Sequence, residues 1–191
     1  YIVLLNNDIK VITPDWLEEM LGICQRNEVG IVGAKLLYYD KTIQHAGVVI
    51  GMGGIAGHVN RTISEKEPGY FGRTKIINNF SAVTAACLMT KKELYEKVEG
   101  LDEKFAVAFN DVDFCMKIRK LNKLVVYTPY AKLYHYESKT RGYEDTPEKK
   151  KRFESEIQLF KEKWGKELEE GDPYFNKNLD LYSEQCEIKD N

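Results

Sequence analysis

Short apolar runs that stop at polar or glycine-bearing turns alternate along this chain with stretches whose apolar residues recur every three to four positions. That alternation of strand and helix signals confines the chain to the α/β class and predicts a mainly parallel central sheet flanked by helices. Tyr1-Ile2-Val3-Leu4-Leu5 is the first run, apolar enough for a buried strand, and it breaks off at Asn6-Asn7-Asp8. A chain that opens inside a strand is expected to continue a fold begun upstream. Ile31 to Tyr39, Asn79 to Met89, Leu124 to Tyr127 and Leu133 to Tyr136 read as further strands, with Pro129 interrupting the last pair. Gly33 and Ala34 let neighbours come close.

The helices announce themselves by their ends. Thr13 is expected to cap a helix beginning at Pro14, carrying Trp16, Leu17, Met20, Leu21 and Cys24 and stopped by Gly30. Thr90-Lys91-Lys92-Glu93 has the form of a capping box before a short helix. Val112, Cys115 and Ile118 mark one face of another helix, and Thr146-Pro147 opens a long one along Phe153, Ile157, Phe160 and Trp164. Residues 58–75 read as a surface loop. The division expected is a catalytic unit over 1–165 and a polar C-terminal tail over 166–191, a docking arm or a partly disordered segment.

Composition narrows the function classes. At 191 residues, 43% hydrophobic and 30% charged, the chain can bury a core. A net charge of −2 gives no basic field to attract nucleic acid. Four scattered cysteines without CxxC spacing fit buried, reduced thiols, and no apolar run reaches membrane-spanning length, so a cytoplasmic location is expected. Lys149 to Lys151 read as a solvated helix face or a peripheral membrane contact at the inner surface.

Parallel sheets bind ligands at the carboxyl ends of their strands. Three polar groups stand at such ends or close to them: Asn6-Asn7-Asp8, Asn110-Asp111-Val112-Asp113, and His135 followed by Lys139 and Arg141. Together they offer a carboxylate and an imidazole for Mg2+ or Mn2+, a second carboxylate for proton removal, and cations for phosphate. Each has a plainer reading. Asp8 could start a turn, Asp111 could cap a helix, Asp113 suits a first-turn acid, and His135 could be a satisfied core histidine.

Leu4-Leu5-Asn6-Asn7-Asp8 resembles the Asp-x-Asp-type element of inverting family-2 glycosyltransferases, bacterial rhamnosyltransferases among them. Phe109-Asn110-Asp111-Val112-Asp113-Phe114-Cys115 resembles that family's Glu-Asp motif, with Asn110 in the Glu place. Gln44-His45-Ala46-Gly47, Ala85-Ala86-Cys87, Gly100-Leu101-Asp102-Glu103-Lys104-Phe105, and His135 with Ser138-Lys139 and Arg141-Gly142 are similar in order, as far as Trp164. The resemblance implies a GT-A (nucleotide-diphospho-sugar transferase) fold whose N-terminal nucleotide-binding strands lie upstream of Tyr1. It implies that Asp8 and His135 hold the metal and that Asn6 and Asn7 face the donor. Lys139 or Arg141 would neutralise phosphate, and Asp111 would be the general base. Asn110, Asp113 and His45 would lie on the acceptor side. The donor would be a nucleotide-diphosphate sugar and the acceptor a glycan or lipid-linked glycan of a bacterial surface polysaccharide, with this chain inactive alone. A non-catalytic glycan- or partner-binding module and a sugar nucleotidyltransferase are the competing readings.

Overall fold

The structure is a computed structural model that describes residues 1–136 and 146–189. In chain order its elements are β1 (Ile2–Leu5), β2 (Ile9–Val11), α1 (Trp16–Cys24), β3 (Val29–Leu37), β4 (Ile43–His45), β5 (Val48–Ile50), β6 (Ala56–His58), β7 (Asn78–Phe80), β8 (Cys87–Thr90), α2 (Lys92–Lys97), α3 (Asn110–Lys120), β9 (Leu124–His135) and α4 (Pro147–Glu170).

Seven strands share one sheet along the path β1-β8-β3-β9-β2, with β4 added to β3 and β7 to β9. β3 and β9 are parallel, and the other pairs in this sheet are antiparallel. The mainly parallel sheet expected from the sequence is therefore corrected to a mixed, largely antiparallel one within the α/β class. A parallel neighbour needs a crossover of a dozen or more residues. Between β4 and β7 the chain makes three-residue strands with no α-helix among them. Direction is nonetheless shared where it matters. β1 opposes β8 and β8 opposes β3, so β1, β3 and β9 point the same way and end on one edge.

Two further strand expectations change. β1 is half-exposed rather than buried, pairing with β8 along one side only among the described residues. Asn79 to Met89 divides into β7 and β8. Pro129, by contrast, does not end β9. Ala34 faces Thr128 and Lys35 faces Lys132, so residues 129–131 bulge out of register while the strand continues.

Each sheet face carries its own apolar layer. On one, α1 packs Met20, Ile23 and Cys24 against Val32, Ala34, Leu36, Met89 and Leu133. On the other, Ile31, Val125 and Tyr127 meet Phe114 and Ile118 of α3 and Phe160 and Trp164 of α4. Full burial of such side chains contributes roughly 1.5–3 kcal/mol each. The four cysteines are free and buried. Burial pushes the Cys24 thiol up to about 11 and Cys87 up to about 12, which makes both poor nucleophiles.

Of the three threonines read at helix starts, one caps its helix. Thr146 Oγ1 accepts from Lys149 N–H (3.3 Å) at the start of α4. Thr90 lies within β8 instead, donating its hydroxyl to Gly30 O (2.8 Å). Thr13 Oγ1 accepts from Lys132 N–H (3.1 Å), and α1 begins later, at Trp16. The segment after α4 packs on the body of the fold. Asp172 Oδ2 accepts from Ile50 N–H (2.7 Å), and Leu179 and Cys186 are buried against the body.

Gly47 sits at φ +112°, and a Cβ there would lie 2.5 Å from the Phe80 ring. Gly47→Ala combines backbone strain with overpacking and is expected to cost about 2–4 kcal/mol. A urea melt reads this as a lower midpoint at unchanged slope. Gly33 is tight for the second reason alone, with Val83 Cβ 2.5 Å from the Cβ position.

Candidate functional site

The shared edge of β1 and β9 gathers several of the residues singled out from the sequence. β1 ends at Leu5, Asn7 and Asp8 form a turn, and β2 then pairs with the end of β9, Ile9 facing His135. Asp8 O accepts from Tyr136 N–H (3.0 Å), fixing the turn to the strand end. The Asp8 carboxylate reaches His135, with Oδ1 3.3 Å from Nε2. Asn6 Nδ2 approaches the same ring nitrogen at 3.2 Å.

As the Asn6 amide is oriented, its NH2 and the Asp8 carboxylate compete for one ring nitrogen. One nitrogen of a neutral imidazole cannot both accept from an amide N–H and donate to a carboxylate. Asp8 Oδ1 lies within ion-pair distance yet makes no aligned hydrogen bond, and the buried His135 Nδ1 has no partner, among the described residues. A divalent cation accepting lone pairs from Asp8 and from Nε2 would remove the conflict. Mg2+ is commonly held by one or two protein ligands with substrate phosphates and water completing the shell. Among the described residues no group of three or more His, Cys, Asp or Glu side chains stands close enough to hold a metal. The pair would thus need oxygens from a ligand.

Asp111 is brought to the same region through the turn before β8. It stands in the first turn of α3, where Oδ2 accepts from Ala85 N–H (3.1 Å) and Oδ1 from Val112 N–H (2.8 Å). The next residue, Ala86, accepts from Asn6 N–H through its carbonyl (3.0 Å). Asp111, Ala85-Ala86, Asn6, His135 and Asp8 therefore form one connected series. Asn110 opens α3 beside the carboxylate and is partly exposed.

Two acceptor-side expectations meet a different geometry. Asp113 is 0% exposed and accepts from Trp164 Nε1 (2.8 Å) and Lys163 Nζ (2.7 Å), which makes it the anchor between α3 and α4 rather than a surface group. Lys163 is held above the usual lysine range: burial opposes this, but its hydrogen bonds to Asp113 and Asp102 outweigh it. His45 is also 0% exposed, its Nδ1 3.1 Å from His58 Nδ1. Burial, then the neighbouring His58 and His135, hold its pKa well below 6.5, so it is a neutral ring. Lys139 and Arg141 lie outside the described residues, as do Ser138 and Gly142.

One residue of consequence was not singled out. Glu156 of α4 is 2% exposed, and its carboxylate accepts from Val107 N–H (2.8 Å) and Ala108 N–H (3.1 Å). It grips the turn that delivers Asp111. Phe109, in that turn, holds a left-handed φ of +63° and stacks on Phe153 (5.7 Å between centroids). The signal was present in the phase of α4. Glu156 lies three residues after Phe153 and four before Phe160, on the apolar stripe.

No family model matches the chain. It is 51% identical over 181 residues to a protein of Sinorhizobium fredii named uncharacterized protein y4gI, covering 94% of this chain and 20% of that one. It is 36% identical over 189 residues to the O-antigen biosynthesis protein RfbC of Myxococcus xanthus, covering 98% of this chain and 14% of the relative. The chain thus spans a fifth or less of the length of these relatives, and nearly all of it is similar to a segment of each.

Proposed function

We propose that the chain supplies the catalytic edge of an inverting glycosyltransferase that moves a sugar from a nucleotide-diphosphate donor to a glycan hydroxyl. The observation that carries this reading is the connected series from Asp8 and His135 through Asn6 to Asp111. Similarity to an O-antigen biosynthesis protein supports surface-polysaccharide synthesis as the setting. A metal held by Asp8 and His135 would offset the charge that develops on the departing diphosphate. Asn6 and Asn7 flank that position, and Lys139 and Arg141 follow it in sequence as phosphate partners. Asp111 takes the proton from the acceptor hydroxyl as it attacks the anomeric carbon, and inversion needs no second acid on the protein.

The test is donor binding by the protein. Nucleotide-sugar affinity is expected to rise with Mn2+, and Asp8→Ala is expected to abolish that Mn2+-dependent gain, about tenfold or more, as read by calorimetry. An unchanged Mn2+ response in Asp8→Ala would remove Asp8 from the metal site. Glycan binding that needs neither metal nor nucleotide would instead favour a binding module on the same scaffold.

A further inference from the structure

Lys35 is a lysine in the middle of a buried strand, 2% exposed between the core residues Ala34 and Leu36. Its Nζ donates to Thr74 O (3.2 Å) and Glu65 O (3.4 Å). Lys75 Nζ donates to the same Glu65 carbonyl. Lys132 Nζ lies 3.9 Å from Glu65 Oε2. Lys35 and Lys132 are register partners across β3 and β9, so their side chains leave one face of the sheet together. Like charges in adjacent positions are unfavourable.

The three lysines, with Glu65, Thr13, Pro129 and Tyr130, line a cavity of about 370 Å3. Among the described residues, three ammonium groups face one carboxylate there, an excess of two positive charges. The backbone carbonyls orient Lys35 and Lys75 but cancel no charge. Burial, with Lys75 and Lys132 adding to it against the pull of Glu65, brings Lys35 down to about 8. Thr13 Oγ1 accepts from Lys132 N–H, which leaves its own O–H to donate on the cavity wall. Half-exposed Tyr130 stands at the rim.

We propose that this cavity binds a phosphate dianion, free or as the terminal group of a soluble phosphate ester. Two negative charges match the local excess, and ammonium and hydroxyl donors are the groups that hold phosphate oxygens. The space exceeds a single phosphate, so an attached sugar or alcohol can project past Tyr130. The site is distinct from the Asp8–His135 edge. Lys132 and His135 are three residues apart on β9 and leave opposite faces, Lys132 beside Lys35 and His135 on the side of Leu133 and Leu36. It does not depend on sugar transfer.

The test is calorimetric titration of the chain with inorganic phosphate, using sodium chloride at equal ionic strength as reference. Saturable one-to-one binding is expected. Lys132→Gln and Lys75→Gln, each verified as folded by circular dichroism, should weaken it about tenfold, while Lys97→Gln on exposed α2 leaves it unchanged. No saturable heat, or equal binding by both cavity variants and the parent, overturns the proposal. Co-sedimentation with phosphatidylglycerol vesicles separates the lipid source. Lipid capture that depends on Lys132, without binding of inorganic phosphate, would also overturn it.

Discussion

Asp111→Asn is expected to reduce sugar transfer by roughly a hundredfold to ten-thousandfold, the range a positioned general base contributes. The substitution is nearly isosteric and keeps one oxygen. That oxygen can serve either Ala85 N–H or Val112 N–H, which the carboxylate satisfies together at 3.1 and 2.8 Å. The other N–H then faces an amide NH2, a donor against a donor, at a cost of about 1–3 kcal/mol. The fold of the turn should survive this, and donor binding at Asp8 and His135 should be nearly unchanged. The decisive measurement is single-turnover transfer by the protein at saturating donor, alongside donor affinity. A rate within about twofold of the parent would show that Asp111 takes no proton. A parallel loss of donor affinity would reassign it to holding the Ala85-Ala86 turn.

Asp113→Ala is expected to have the largest effect on stability. The carboxylate is fully buried, receives the Trp164 indole N–H and the Lys163 ammonium, and has Lys117 at 3.7 Å. Removing it strands a buried indole donor and leaves Lys163 to Asp102 alone (2.9 Å). Breaking a buried charge pair from one side costs about 3–5 kcal/mol. For a domain of this size that corresponds to a fall in Tm of roughly 6–20 °C. Asp113→Asn retains an acceptor for Trp164 and should recover part of the loss. A thermal melt of Asp113→Ala within about 2 °C of the parent would mean that α4 is held by its apolar stripe alone.

What was legible in the sequence follows a physical division. Asn6, Asp8 and His135 stand where apolar runs stop. Their convergence was readable because β1 and β9 share a direction, even though antiparallel β8 lies between β1 and β3. Neighbour direction itself was hidden, since a strand's period of two is the same in either sense. Thr90 and Thr13 misled for a related reason. The local signal of a cap competes with partners far away, and Gly30 and Lys132 took those oxygens. At Thr146 no distant partner intervenes, and the cap forms. Asp113 and Glu156 lay beyond composition, because an acid on a helix is solvated unless the opposing element brings donors to it.

The grip of Glu156 on the turn before Asp111 also sets an order of events during synthesis. The clamp reaches back 49 residues, from α4 to Val107. At the pace of a ribosome that separation amounts to roughly 2–10 seconds. During that interval the left-handed Phe109 has neither its stacking partner nor the carboxylate that holds its neighbours. The turn that leads into Asp111 is thus among the last parts to be set. A chain released before Pro147 would carry Asp111 at the start of α3 with the turn before it unsupported. Completion of α4 is what fixes the turn before α3 in place.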